Sequence, residues 1–177
     1  MTEKNDTSRL NEKYIFRNIR QEEIAQAAEI EKICFPPNEA CSYEHMEDRV
    51  KKAPELFLVA EDRDTGKIAG FLNGLATDRE HLTDDFFTDA EVHDPKGKNI
   101  MLLGLDVLPE YQHQGLAREL VRCYKEREKA NGREKLILTC LPDKVEMYQK
   151  FGFKDHGIGG SVWGGEAWHE MSVELRG

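Results

Sequence analysis

Residues 102–118 read LLGLDVLPEYQHQGLAR, and the character of the chain changes twice within them. Ile100 to Val107 forms an apolar run of strand length. A loop with one glycine follows, and from Leu116 the apolar positions Leu116, Leu120, Val121 and Tyr124 recur at helical spacing with charges on the opposite face. The first amides of a helix have no acceptor within it, so Leu116, Ala117 and Arg118 would point three N–H groups out of the loop, aided by the helix dipole. Such an end binds phosphate oxygens, and Gly115 lets the backbone approach them closely. Arg118 and Arg122, one turn apart, would add charge. An ordinary strand-to-helix turn with a solvated basic face has the same local appearance, so the flanking segments decide between the two.

Working outward, the flanks read as strand, loop, helix, strand. The helix ends at Asn131-Gly132, where glycine takes the left-handed conformation, and Leu136 to Cys140 is a short buried strand. Upstream, Tyr14 to Ile19 suggests a first strand, Glu22 to Cys34 a helix stopped by Pro36-Pro37, and Ser42 the cap of a second helix ending before Pro54. Leu56 to Ala60 and Ile68 to Leu75 form a hairpin about Asp64-Thr65-Gly66. Thr83 is a candidate cap for a short helix, and Pro95-Lys96-Gly97 a turn. Val145 to Phe151 reads as a short helix and Ala167 to Leu175 as a last strand. Mixed strands and helices in this order predict an α/β or α+β three-layer domain.

The whole chain has 177 residues, 39% of them hydrophobic, enough for one core of ordinary size. The expected organisation is a flexible tail over residues 1–12 and one domain over 13–177. The absence of a long apolar run, and a start MTEKND without the apolar core of a signal peptide, suggest a cytoplasmic protein without membrane attachment. Four cysteines, at 34, 41, 123 and 140, follow no zinc spacing and read as free thiols. The net charge of −9 disfavours nucleic acid and favours a cationic ligand. An anionic ligand therefore needs a local cluster of donors.

Gln112, His113, Gln114, Gly115, Leu116 and Ala117 fit the pattern Gln/Arg-x-x-Gly-x-Gly/Ala, which resembles the acyl-CoA-binding signature of the GNAT superfamily of N-acyltransferases. CLPDKVEMYQKFGF, residues 140–153, resembles the superfamily's second signature, with Tyr148 just before a Phe-Gly-Phe segment. Within the superfamily the chain is most similar to the arylalkylamine (serotonin) N-acetyltransferases, through Phe35 to Cys41, Leu82-Thr83, His93 to Gly97 and the spacing from Cys140 to Tyr148. The resemblance implies a GNAT-type α/β/α fold with a mixed, largely antiparallel sheet splayed at the acetyl-CoA site. It also implies acetyl-CoA as co-substrate, no metal, and a small primary amine as acceptor. Whether the chain is a monomer or a dimer is left open.

An alkylamine, with a pKa of about 10, reaches the enzyme protonated and must lose that proton before it attacks a thioester. The departing thiolate gains from a proton in turn. From the residues alone Tyr148 reads better as a core tyrosine on an amphipathic helix; the resemblance reverses that preference and makes it the general acid. The backbones of Leu105, Asp106 and Val107 would face the acyl oxygen, with Asp106 not itself the base. The vertebrate arylalkylamine enzymes carry two histidines on this strand, where counting back from Gly115 places Met101 and Leu103. Neither moves a proton, so the acceptor is a water chain, the tyrosine or another titratable group. His113, His156 and His169 read more readily as structural than catalytic. Phe35, Pro36, Cys41 and Trp168 are the candidate amine-binding residues, with Trp163 and Phe153 as further aromatic faces. The glycines at 157, 159, 160, 164 and 165 suggest a mobile wall or a loose hairpin.

Other readings keep the fold and change the chemistry: a polyamine, an aminoglycoside or a protein amine as acceptor, or a CoA-binding module without catalysis. His81, Asp84, Asp85, Asp89, Glu91, His93 and Asp94 crowd together, but no spacing among them matches a zinc or calcium site.

Overall fold

Seven strands form one open sheet in the order β1-β2-β3-β4-β5-β7-β6. The computed structural model describes residues 9–176. The strands are β1 Tyr14–Asn18, β2 Phe57–Asp62, β3 Ile68–Thr77, β4 Asn99–Val107, β5 Lys135–Cys140, β6 Lys154–Ile158 and β7 His169–Glu174. All neighbours are antiparallel except β4 and β5. Among the described residues five α-helices follow β1: α1 Ile24–Cys34, α2 Tyr43–Lys52, α3 Asp85–Thr88, α4 Leu116–Ala130 and α5 Val145–Lys150.

Strand alternation distributes the helices over two faces. Asn73 points to the face carrying Arg49 of α2, whereas the position of a Cβ on Gly74 is 3.1 Å from Tyr124 Oη of α4. Leu116, Leu120, Val121 and Tyr124 of α4 are buried as the sequence pattern requires. Each such side chain contributes about 1.5–3 kcal/mol by leaving water. The Tyr124 hydroxyl, inside the core, donates to Leu56 O at 2.9 Å.

Two features of β4 shape the sheet. Asn73 pairs with Gly104 and Gly74 with Leu102, so Leu103 is an extra residue that bulges the strand. Its parallel pairing with β5 then covers only Asn99–Met101 against Lys135–Ile137. Beyond that point β5 stays with β7, through Cys140 opposite His169, and β4 stays with β3. The two central strands separate, and a cleft opens between them.

The structure departs from the sequence expectations at three places. Residues 9–13 are helical and Leu10 is buried in the core, so ordered structure begins before Tyr14; residues 1–8 lie outside the described residues. Thr83 does not cap α3: Asp84 holds the N-cap position without a side-chain cap bond, and its carboxylate instead accepts from the Ser161 hydroxyl and from Val162 N at 3.1 Å. β6 was not expected. Its register against β7 shifts between Asp155 and Ile158, where Gly157 sits at φ +86° and Asp155 Oδ1 takes the Gly157 amide at 2.8 Å. Ser42 does cap α2, accepting from His45 N at 3.1 Å.

Candidate active site

The cleft between β4 and β5 has a volume of about 730 Å³. Leu102, Leu103, Gly104, Leu105 and Val107 form one wall and Leu138, Thr139, Cys140 and Leu141 the other. β4 has no strand neighbour on this side beyond Met101, so its edge presents backbone groups to the cleft.

The loop after β4 closes one end. Pro109–Tyr111 makes a 3₁₀ turn pinned by the Tyr111 hydroxyl, which donates to Asp62 Oδ2 at 2.8 Å. Gln112 Nε2 donates back to Val107 O at 3.0 Å. His113 sits at φ +64° and Gly115 at φ +82°. A non-glycine residue held at positive φ marks a loop whose path is imposed by its surroundings. Gly115 is the N-cap of α4, and the first helical bond runs from Glu119 N to Gly115 O at 3.0 Å. The amides before it are those of the N-terminal turn. A Cβ on Gly115 would meet nothing within 4 Å, so the approach to the helix end is open.

Gln112, His113, Gly115, Leu116, Ala117 and Arg118 all line the cleft, as do Leu105 and Val107. Two other residues from the same reading do not. The Gln114 side chain turns away and accepts from Tyr14 and Lys13. The Asp106 side chain is buried. Arg122 is not on the lining either, because Glu119 and Glu126 occupy its guanidinium.

Tyr148 of α5 lies on the cleft wall. Its ring packs edge-on against Phe151 at 6.1 Å and Phe153 at 5.7 Å between centroids. Burial pushes its hydroxyl pKa well above the usual phenol value, with Cys140 and Asp106 adding to the effect. The phenol therefore keeps its proton at neutral pH. The thiols in the same cleft are poor nucleophiles. Burial raises Cys34 and Cys41 to about 11 and Cys140 to about 12, so each remains protonated.

Phe35, Pro36, Cys41 and Trp168, the candidate amine-binding residues, also line the cleft. Trp163 joins them and stacks on Phe87 at 5.1 Å, 25° from parallel. Trp163 Nε1 donates to Glu39 O at 2.8 Å and Trp168 Nε1 to Trp163 O at 2.7 Å, which fixes both indoles. Phe153 instead packs in the core beside Tyr148. His156 pairs with Ser172, and His169 with Asp155, away from the cleft lining. Glu39 and Asp143 stand on the lining, and the Glu39 carboxyl is raised by partial burial and by Glu166 and Asp143 nearby. This group of lining residues is aromatic, with two acids beside it.

Sequence reasoning missed Glu31, Arg49, Asn73 and Phe87. Glu31 is on the apolar face of α1; a charged residue in that stripe is the signal that was available.

Residues 24–153 match the acetyltransferase (GNAT) family. The chain belongs to that family. Its expected GNAT fold, a mixed and open sheet flanked by helices and split at the centre, is the one observed. A curated relative, the "Probable hydrolase YhcX" of Bacillus subtilis (strain 168), is 27% identical over 158 residues, which is 85% of this chain; the chain spans 30% of that relative's length. Among solved structures, the loading GNATL domain of CurA from Lyngbya majuscula superposes with TM-score 0.80 at 19% identity, covering 92% of this chain and 98% of that one. The GphF GNAT-like decarboxylase in complex with isobutyryl-CoA gives 0.73 at 18%, with 92% and 100% coverage. The yncA protein of Salmonella typhimurium, solved with acetyl-CoA, gives 0.63 at 15%, with 93% and 95% coverage. At these identities the likeness is one of fold. Among the described residues of this GNAT domain no group of His, Cys, Asp and Glu is arranged to hold a metal, and no helix is long and apolar enough to cross a membrane. Of the acids between 78 and 98, Asp89 accepts from Glu91 N and Asp94 from Lys96 N, while Glu80 pairs with Lys135, Asp84 accepts from Ser161 and Val162, and Glu91 pairs with Lys52.

Proposed function

We propose that this GNAT domain transfers the acetyl group of acetyl-CoA to a small primary amine of the arylalkylamine type, by direct attack while both substrates are bound. The observation that carries the reading is one cleft lined together by a helix N-terminus, by the protonated Tyr148 phenol and by a group of aromatic and acidic side chains. Backbone amides of residues 115–118 suit the pyrophosphate. The edge of β4 at Leu105 to Val107 suits the acyl oxygen, where charge develops as the tetrahedral intermediate forms. Phe35, Phe87, Trp163 and Trp168 offer faces to an aromatic ring, and Glu39 and Asp143 attract its ammonium group.

Thiol release from acetyl-CoA, followed with tryptamine, phenethylamine, a polyamine and no amine, tests this directly. Release that requires an aromatic amine supports the reading. Release with the polyamine alone changes the acceptor class. Activity confined to peptides overturns the small-amine assignment, and binding of acetyl-CoA without release under any condition leaves a CoA-binding module.

A further inference from the structure

Beneath α1 and α2, against the β4 wall, lies a group of polar side chains that the chemistry above does not use. Glu31 is 4% exposed and Asp106 0%. Glu31 Oε2 accepts from Cys41 N at 3.0 Å. Glu31 Oε1 and both Asp106 oxygens meet no N–H or O–H donor among the described residues. Asp106 Oδ1 and Glu31 Oε1 instead converge over Gly104: a Cβ there would be 3.1 Å from Asp106 Oδ1, 3.2 Å from Asn73 Nδ2 and 3.6 Å from Glu31 Oε1.

Two carboxylates this deep cannot both remain ionised. A proton held between them supplies the donor that neither has alone. Burial, reinforced by Glu31, lifts the Asp106 carboxyl well above the usual carboxylate range, so Asp106 is the member that holds a proton. The other groups facing the pair are the Cys34 and Cys41 thiols, Asn73 and the Arg49 guanidinium, with Tyr148 on the opposite wall. Arg49 donates to Asn73 Oδ1 at 3.5 Å and to Phe87 O at 3.1 Å. Glu31, Arg49 and Gly104 all line the cleft; Asp106 does not.

We propose that Glu31 takes the proton from the incoming ammonium group and that Asp106 is the positioning residue that shares its own proton with Glu31. The inference rests on the amine-acetylation reading and deepens it. The Glu31 carboxylate removes one proton from R–NH3⁺, leaving R–NH2. The nitrogen lone pair forms the N–C bond at the thioester carbon, and collapse of the tetrahedral intermediate breaks the C–S bond. The sulfur leaves with the bond pair and takes the Tyr148 proton. The proton lost from the amide nitrogen restores the phenol, and Glu31 returns its proton to water. Amide, free thiol and one proton are the products. Glu31 thus fills the role for which Met101 and Leu103 have no chemistry.

Glu31→Gln keeps the size of the side chain and an acceptor for Cys41 N. At neutral pH it should lower kcat about 100-fold and leave the KM for acetyl-CoA unchanged. The deficit should shrink as pH rises toward the amine pKa of about 10, where neutral amine arrives without help. Asp106→Asn should move the acidic limb of the wild-type pH profile with a smaller loss of kcat. Independently of turnover, the infrared spectrum of the wild-type protein at neutral pH, without substrates, should contain the C=O stretch of a protonated carboxyl that Asp106→Asn removes. A Glu31→Gln deficit equal at pH 7 and pH 10, wild-type turnover in that variant, or no such band in the wild type overturns the proposal. The band needs no substituted protein, so a variant that fails to fold does not rescue the idea. Wild type that acetylates no amine at all overturns the functional reading instead.

Discussion

The Tyr14 hydroxyl donates to Gln114 Oε1 at 2.9 Å, joining the first strand to the loop ahead of α4 across 100 positions of sequence. Lys13 Nζ reaches the same oxygen at 3.0 Å. The pair turns the Gln114 side chain out of the cleft and braces a loop with two residues at positive φ. Burial, with Asp62 and Tyr111 close by, pushes the Tyr14 hydroxyl to about 12, so it remains a donor at any physiological pH. Tyr14→Phe should cost about 1 kcal/mol of stability, the usual net worth of such a bond. It should also weaken acetyl-CoA binding about fivefold through a looser loop. Denaturant unfolding and calorimetric titration measure the two; unchanged affinity would show that the brace does not set the loop.

Tyr148→Phe removes the phenolic proton and leaves the edge-on packing with Phe151 and Phe153 in place. Turnover should fall about 100-fold with acetyl-CoA affinity nearly intact. Parallel rate and binding measurements separate these terms, and equal turnover in the variant removes Tyr148 from the chemistry.

Gly115→Glu places a charged side chain at φ +82° in the open approach to the helix end. Left-handed backbone costs a side-chain-bearing residue about 1–2 kcal/mol, so the fold should survive at reduced Tm. Acetyl-CoA should no longer raise that Tm, because bulk and like charge oppose the phosphates.

Gly104→Ala drives a methyl group between Asp106 and Asn73, at 3.1 and 3.2 Å. Overpacking of this kind costs about 1–3 kcal/mol. Urea unfolding should report that loss, and a neutral result would mean that the two side chains part easily.

The Asp62 carboxyl is held below the usual carboxylate range by the Tyr111 hydroxyl first and by the Asp64 amide second. A depressed folded-state pKa stabilises the fold above the unfolded value of about 3.9, and the gain disappears as pH falls through the lower, folded value. Tyr111→Phe removes the leading cause. Its stability should therefore approach that of wild type as pH drops from 6 to 3, and a constant difference over that range would contradict the assignment.

Much of the architecture was legible in the chain because period and punctuation act locally. The strand from Ile100 to Val107, the amphipathic α4 and its stop at Gly132 follow from the alternation of apolar and charged residues and from one glycine. Ser42 announces α2 for the same reason: a hydroxyl three residues before a free amide needs no distant partner. β6 was not legible, since Gly157 and the polar residues before it disguise a short edge strand that only pairing with β7 defines.

The site divides along the same line. Gln112 to Arg118 and Tyr148 could be found in the sequence because each sits at a fixed offset from a local signal, the loop glycine or the Phe-Gly-Phe segment. Asp106 enters the sequence reading through its backbone alone, with no role for its carboxyl, and Glu31 is a charge on an otherwise apolar helix stripe. Their meeting over Gly104 depends on the bulge at Leu103, the packing of α1 on β4 and the exclusion of water there, none of which is encoded within a few residues. The chain alone thus determined which segments fold and which loop is the candidate for an anionic ligand, through short-range backbone chemistry. Only the tertiary structure decided which buried acids face each other, because that depends on burial and on contacts between residues 75 positions apart.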